Sequence, residues 1–140
     1  MRPRVVQRTI EVMLVVAIAL DIAYWSIWFT NRDWIASEHR RAYDEFENAF
    51  PLADTWLGVA CLCALVTLRR RRPSALLWLL NADSAGLYLF EMDFLYDVEN
   101  DIFAKGVGGV FEAVIVALTL AFSLTALTWS WRERVELLGW

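Results

Sequence analysis

The chain is short, strongly apolar and slightly acidic. Its 140 residues are 59% hydrophobic and carry a net charge of −4, which excludes an ordinary soluble domain of this size and gives no reason to expect a nucleic-acid partner. Four apolar blocks approach or exceed the ~20 residues that cross ~30 Å of hydrocarbon: residues 10–30, 51–68, 74–96 and 107–131. We therefore predict a single all-α domain over residues 1–140, an integral membrane bundle of four antiparallel transmembrane helices.

The basic residues are concentrated at one end of this bundle. They precede the first span, separate the second from the third, and follow the fourth: Arg2, Arg4, Arg8, Arg69 to Arg72, Arg132 and Arg134. The other two connections, which join the first span to the second and the third span to the fourth, are acidic. By the positive-inside rule, both termini should lie in the cytoplasm, and we expect a bacterial cytoplasmic membrane or its equivalent. The lipid bilayer is the first expected partner, and a homodimer or a larger membrane complex is a second expectation.

The predicted outer loop, residues 31–50, carries a helical pattern among its charges. Tyr43, Phe46 and Phe50 recur at helical spacing, which predicts a short helix lying on the membrane surface. The chain's single histidine, His39, lies in the same loop. One histidine argues against a bis-histidine haem or a His-rich metal site, and no cofactor is expected.

The first span places one acid and three aromatic residues on a single helical face. Asp21, Tyr24, Trp25 and Trp28 fall at i, i+3, i+4 and i+7. Two interpretations remain open: the face lines a pocket, or the aromatic residues form an interfacial belt and Asp21 alone points inward. Taken by itself, Trp28 is predicted to belong to the belt.

The third span is unusual because it carries acids in an otherwise apolar helix. An acid at the centre of a transmembrane helix costs roughly 3 kcal/mol, whereas each Leu or Phe returns only about 0.3–0.6 kcal/mol. A polar stripe follows 3-4-3 spacing along it: Asn81, Ser84, Tyr88 and Glu91. Asp83 lies about 80° from Glu91 around the axis and shares a wide inward sector. We predict that this sector is the polar inner wall of the bundle, whereas Asp93 and Asp97 are expected to be solvated.

The second and fourth spans each contribute one acid to the same end of the bundle. Asp54 follows Pro51 within the first turn of the second span, and Glu112 shares a face with Gly109 and Val116 in the fourth. Gly58 is expected to allow close contact between helices.

Five intramembrane acids are therefore the predicted ligand- or cation-binding residues: Asp21, Asp54, Asp83, Glu91 and Glu112. The supporting residues are Tyr24, Trp25, Asn81, Ser84 and Tyr88. No Lys or Arg occurs inside a predicted span, so the acids must be protonated, hydrated, hydrogen-bonded or paired with a bound cation. One interpretation is purely structural, with hydroxyl and amide groups satisfying the acids. The other is a functional cavity that opens to the outside.

Three classes of function fit this pattern. The first is a protein that binds or transports a proton, a metal ion or an organic cation; oxygen-only ligands suit hard metal ions, and aromatic residues suit an amine. The second is a membrane-embedded, isomerase-like enzyme that uses Asp83 and Glu91 for acid/base chemistry on a lipid-like substrate. The third is a non-catalytic accessory or assembly subunit of a membrane complex. The first is the preferred hypothesis, and no catalytic residue is assigned.

Two short segments resemble a family of uncharacterised small four-span bacterial membrane proteins. They are Asp21-x-x-Tyr24-Trp25 in the first span and Phe50-Pro51-Leu52-x-Asp54 at the start of the second. In that family's pattern the acid directly follows Pro-Leu, whereas Ala53 intervenes here. The resemblance covers the first half of the chain. It implies four spans and two acid positions, and it implies no activity.

Overall fold

The computed structural model describes residues 3–140, so Arg2, one of the residues behind the topology prediction, lies outside the described part. The fold is all-helical, as predicted. Its six α-helices are α1 (Pro3–Asn31), α2 (Arg41–Glu47), α3 (Pro51–Arg69), α4 (Ser74–Glu99), α5 (Gly106–Arg132) and α6 (Arg134–Leu138). Short 3-10 turns, Arg32–Trp34 and Ile102–Ala104, follow α1 and precede α5.

Three of the long helices, α1, α3 and α5, are long and apolar enough to cross a membrane, which is compatible with an integral membrane protein. The fourth long helix, α4, has 26 residues and a length of about 39 Å. Its composition is less apolar because it contains Asp83, Glu91, Asp93 and Asp97. The four-span topology, with both termini on the cytoplasmic side, therefore stays a prediction.

The long helices pack in a row, with α3 between α1 and α4, and α5 on the far side of α4. Small residues such as Ala60, Ala64 and Ala75 are fully buried where the helices meet, because short side chains let helix backbones approach closely. Along the described residues, α1 and α5 do not pack closely on each other. The bundle is therefore open along one edge.

Two glycines determine how the helices face one another. A Cβ at Gly58 of α3 would lie only 2.7 Å from Oδ2 of Asp21 in α1, so this glycine makes room for the carboxylate, in line with the close contact expected there. A Cβ at Gly86 of α4 would collide with the hydroxyl of Ser123 in α5. The Gly86–Ser123 contact therefore fixes the rotation of α4 about its own axis.

An aromatic cap closes the end of the bundle opposite the arginine-rich turn. It consists of four buried residues, Trp28, Ile35, Tyr43 and Ile102. The short helix predicted in the loop forms as α2, and its aromatic face packs on the long helices: the Tyr43 ring meets Trp28 edge-on. The expectation that Trp28 belongs to an interfacial belt is wrong. Its side chain is buried and donates a hydrogen bond to Oδ1 of Asn48, because α2 folds over it.

Ion pairs tie the loop before α2 to the connection between α4 and α5. Glu38 accepts a hydrogen bond from Nε of Arg40 at 2.8 Å and also contacts Nζ of Lys105. Arg40 in turn donates to Oδ1 of Asn100 at 3.2 Å. The adjacent Arg40 guanidinium, helped by Lys105, lowers the pKa of the Glu38 carboxyl below its usual value.

This network predicts a specific acid sensitivity of the cap. Because the pKa of Glu38 is lowered by folding, its contribution is present above the unfolded value of about 4.3 and is lost as pH falls through the folded value. At pH 7, Glu38→Gln should lower the melting temperature by about 2–4 °C. The difference from wild type should shrink as the pH falls below about 4.3, and it should vanish only once the pH lies below the lowered folded-state pKa. Circular dichroism melts in detergent micelles measure both effects.

The control is Glu45→Gln, because the pair that Glu45 forms with Arg41 is exposed. Its effect at neutral pH should be under about 1 °C. An equal loss in both variants, or a loss in Glu38→Gln that persists at acid pH, would contradict a role for the Glu38 carboxylate.

Candidate functional site

A cavity of about 280 Å³ lies among α1, α3, α4 and α5. Most of its lining is apolar, and the lining extends along α1 from Ile10 to Ile27. Three exposed lining residues, Leu20 of α1 and Phe111 and Val114 of α5, lie on the two helices that do not pack together. We call this space the apolar cleft, because it opens sideways between α1 and α5.

Three carboxylates meet at the capped end of the cleft. One oxygen from each of Glu47, Asp93 and Glu112 lies within 4.8 Å of the other two. We call these residues the acidic cluster; all three also line the cleft. Glu47 is 4% exposed and Glu112 is 2% exposed. Three separate helices, α2, α4 and α5, therefore bring together two buried carboxylates and the half-buried carboxylate of Asp93.

The acidic cluster has few groups that compensate its charge. The Tyr24 hydroxyl donates a hydrogen bond of 2.8 Å to Oε2 of Glu47. Oε2 of Glu112 has no hydrogen-bond partner. Among residues 5–140, whose side chains the structure describes, no ion pair includes a member of the cluster. A buried carboxylate without a partner is costly, so the arrangement favours a cation or a proton at this point.

Two more acids of α4 are buried on the same side of that helix. Asp97 is 1% exposed and lies one turn beyond Asp93, and Asp83 is buried in the wall of the cleft. Each has an Oδ2 atom without a hydrogen-bond partner. Asp83, Gly86, Phe90, Asp93 and Asp97 follow 3-4-3-4 spacing and define the inward face of α4.

The remaining acids predicted from α1 and α3 also line the cleft. Asp54 accepts a hydrogen bond of 2.9 Å from Nε1 of Trp25, and Asp21 packs against Gly58. Tyr24 and Trp25 belong to the same lining. The face of α1 that carries these residues therefore lines a pocket, as the first of its two interpretations proposed.

The polar stripe predicted as the inner wall of α4 does not face the cleft. Glu91, Ser84 and Tyr88 are exposed, and Tyr88 retains 62% of its accessible surface. Asn81 instead accepts a hydrogen bond from Nε1 of Trp56. The physical reason is the contact between Gly86 and Ser123, which turns the stripe away from α5.

Sequence reasoning misjudged the surroundings of three acids. They are Asp93, Asp97 and Glu47. Asp93 and Asp97 were expected to be solvated; this is wrong for Asp97, which is buried, whereas Asp93 is half-buried and joins the acidic cluster. The sequence did carry a signal for their inward orientation, because Asp93 and Asp97 lie at helical spacing from Gly86 and so share its face of α4. Glu47 was not predicted as a site residue, although it lies four residues after Tyr43 and three before Phe50, on the side of α2 that packs inward.

The acidic cluster offers oxygen ligands only. Carboxylate oxygens suit hard metal ions such as Ca²⁺, Mg²⁺ or Mn²⁺. They equally suit an ammonium group, which carries up to three N–H donors and no acceptor. The geometry of the cluster thus accommodates a small cation or the charged end of a larger one.

The chain matches no protein-family model, no curated protein and no solved structure. The family resemblance drawn from its first half therefore stays an expectation, and the function must be argued from the site itself.

The unpartnered Glu112 predicts a stabilising substitution. In Glu112→Gln the cost of burying this carboxyl group, whether ionised or protonated, is removed, and the new amide can donate to Glu47 or Asp93. The free energy of unfolding should rise by about 1–2 kcal/mol at pH 8 without added cation. Thermal melts in detergent test this.

The matched control for that substitution is Glu91→Gln, because Glu91 is exposed. It should change the free energy of unfolding by less than about 0.5 kcal/mol. Destabilisation by Glu112→Gln would mean that the Glu112 carboxylate is already satisfied in the folded protein.

Proposed function

We propose that this chain is an integral membrane protein that binds a cation, or carries a proton, at the acidic cluster formed by Glu47, Asp93 and Glu112. One observation supports this most directly: Glu112 is buried with an unpartnered oxygen beside two further carboxylates. A bound cation would supply the positive charge that no described basic side chain provides there.

The proposed membrane arrangement has four spans and both termini in the cytoplasm. Three helices have the required length and apolar composition, and α4 packs between α3 and α5, with Asp83 and Asp97 buried. Arg69 to Arg72 mark the cytoplasmic end by the positive-inside rule. The acidic cluster then lies near the opposite surface, in a bacterial cytoplasmic membrane or its equivalent.

The purely structural interpretation fits the acidic cluster less well than it fits two other predicted site residues, Asp54 and Asn81. Asp54 is satisfied by Trp25, and Asn81 by Trp56, so these polar groups have structural partners. Only the Tyr24 hydroxyl donates to the cluster among the described side chains. The Tyr24 hydroxyl donates to Glu47 alone, so a ligand explains the three carboxylates better than packing does.

Asp83 supports a second candidate, an acid/base enzyme that acts on a lipid-like substrate. Its carboxyl group is buried in the wall of the apolar cleft and has one unpartnered oxygen. Such a group could move a proton to or from an apolar molecule in the cleft. The cation-binding proposal has more support, because it uses three convergent groups rather than one.

Cation binding can be measured on the purified protein in lipid nanodiscs with two probes, Mn²⁺ by electron paramagnetic resonance and ethylammonium by its competition with Mn²⁺ or by calorimetry. We expect at least one probe to bind the wild type. Asp93→Asn and Glu112→Gln should each weaken that binding by about 10- to 100-fold, because each removes a charge-assisted contact.

Glu91→Gln is the control for Asp93→Asn, because Glu91 lies two residues away on the same helix but is exposed. The affinity of the Glu91→Gln variant for the probe should stay within about twofold of that of the wild type. If neither probe binds, or if the affinity for the probe is the same in the Asp93 and Glu112 variants as in wild type, the proposal that the cluster binds a cation is wrong.

A further inference from the structure

Resting on the proposed cation site, we infer that the ligand is a membrane-resident amphiphile with a primary ammonium head and a single alkyl chain. Its head occupies the acidic cluster and its chain lies in the apolar cleft. It enters from the bilayer through the gap between α1 and α5. Head, chain and route of entry are each supported by a different feature of the structure.

The head group follows from the number and spacing of the acceptors. A primary ammonium has three N–H donors, and the cluster supplies one oxygen from each of three carboxylates within 4.8 Å of one another. Three acceptors at hydrogen-bond distance from a tetrahedral nitrogen lie about 4.6 Å apart. The upper bound of 4.8 Å on the distances between the cluster oxygens is consistent with this spacing. A trimethylammonium has no N–H donor and forfeits these bonds.

The chain follows from the shape and lining of the cleft. Its lining runs from Ile10 to Ile27 along α1, which corresponds to about 26 Å. A cavity of about 280 Å³ along that length is elongated, which suits one extended chain. The additional acids Asp21, Asp54 and Asp83 lie on or against α3 and α4, which form the back wall, so the edges of the opening stay apolar.

The route of entry follows from the closed end of the cleft and from its open side. The aromatic cap covers the end of the cleft beside the acidic cluster, because Trp28, Tyr43 and Ile102 are fully or almost fully buried there. The opening along the side is edged by exposed Leu20 and Val114, which would face lipid. An apolar chain can therefore enter the cleft directly from the hydrocarbon region.

The test is photo-crosslinking in nanodiscs with dodecylammonium that carries a diazirine at the chain end. The probe is used at a fixed mole fraction of the lipid, so that partitioning into the bilayer is the same for every variant. Labelled positions are mapped by mass spectrometry of peptides. We expect labels on cleft residues such as Met13 and Leu14, and no labels on Val12 or Leu62, which are exposed outside the cleft.

Two alanines of α1 provide a matched pair of variants. Ala17 lines the cleft, whereas Ala19 is exposed and does not. Ala17→Phe should reduce labelling of the cleft at least about fivefold by filling it, and Ala19→Phe should leave labelling within about twofold. Thr119→Phe, which fills the cleft from α5, gives a second blocking variant if Ala17→Phe does not fold. Its control is exposed Ala121→Phe.

The head group is tested with probes that share the same chain. Glu112→Gln should reduce labelling about 10-fold or more, and Glu91→Gln should not. Dodecanol and dodecyltrimethylammonium probes should label the cleft of the wild type at least about fivefold less than the primary amine. Equal labelling by the three probes, equal labelling in Ala17→Phe and Ala19→Phe, or labels confined to the outer surface would overturn the inference.

The two proposals fail in different ways. If Mn²⁺ or ethylammonium binds in a cluster-dependent manner but the long-chain amine does not label the cleft, the amphiphile is excluded and the cation site stands. If the binding of Mn²⁺, ethylammonium and the long-chain amine is independent of Glu112, cation binding at the cluster and the amphiphile are both wrong.

Discussion

Burial of several carboxylates without a basic partner is the constraint on which the rest of this molecule depends. Glu47 and Glu112 are almost fully buried, and Asp93 lies between α2 and α5 with an oxygen close to both. Each ionised carboxylate in such a position costs several kcal/mol unless it is paired. The fold keeps these groups together nonetheless. Such a cost is typical of a site that is completed by a ligand or a proton.

The scaffold around the acidic cluster explains how these acids come to be neighbours. The cap folds α2 back over α1, which carries Glu47 inward. The contact between Gly86 and Ser123 turns α4 so that Asp93 faces α5. Gly109 packs beneath the backbone carbonyls of the turn before α5, and Glu112 follows it by three residues on the same buried face. Small residues therefore set the geometry of the charged ones.

The open edge between α1 and α5 gives the site an apolar opening on the side of the bundle. A closed four-helix bundle would offer the acidic cluster only to ions that pass through the cap. Here an apolar cleft connects the cluster to the side of the bundle. A charged end and an apolar side opening are the complement of an amphiphile. The proposed ligand therefore follows from the whole cleft and not from the acids alone.

Sequence and structure contributed differently to this result. The pattern of apolar blocks predicted the helical class, and helical spacing placed Asp21, Tyr24 and Trp25 on one face of α1 and Glu112 on one face of α5 with Gly109 and Val116, because both patterns are local. Helical spacing left open whether the α1 face lines a pocket, and only the packing decided it. The rotation of α4 and the inward turn of Glu47 were not predictable in this way. They depend on which small residue meets which neighbour. Sequence alone therefore determined that acids are enclosed in an apolar helical protein. Only the tertiary packing decided that Asp93, and not Glu91, meets Glu47 and Glu112, because rotating a helix about its axis changes no local pattern.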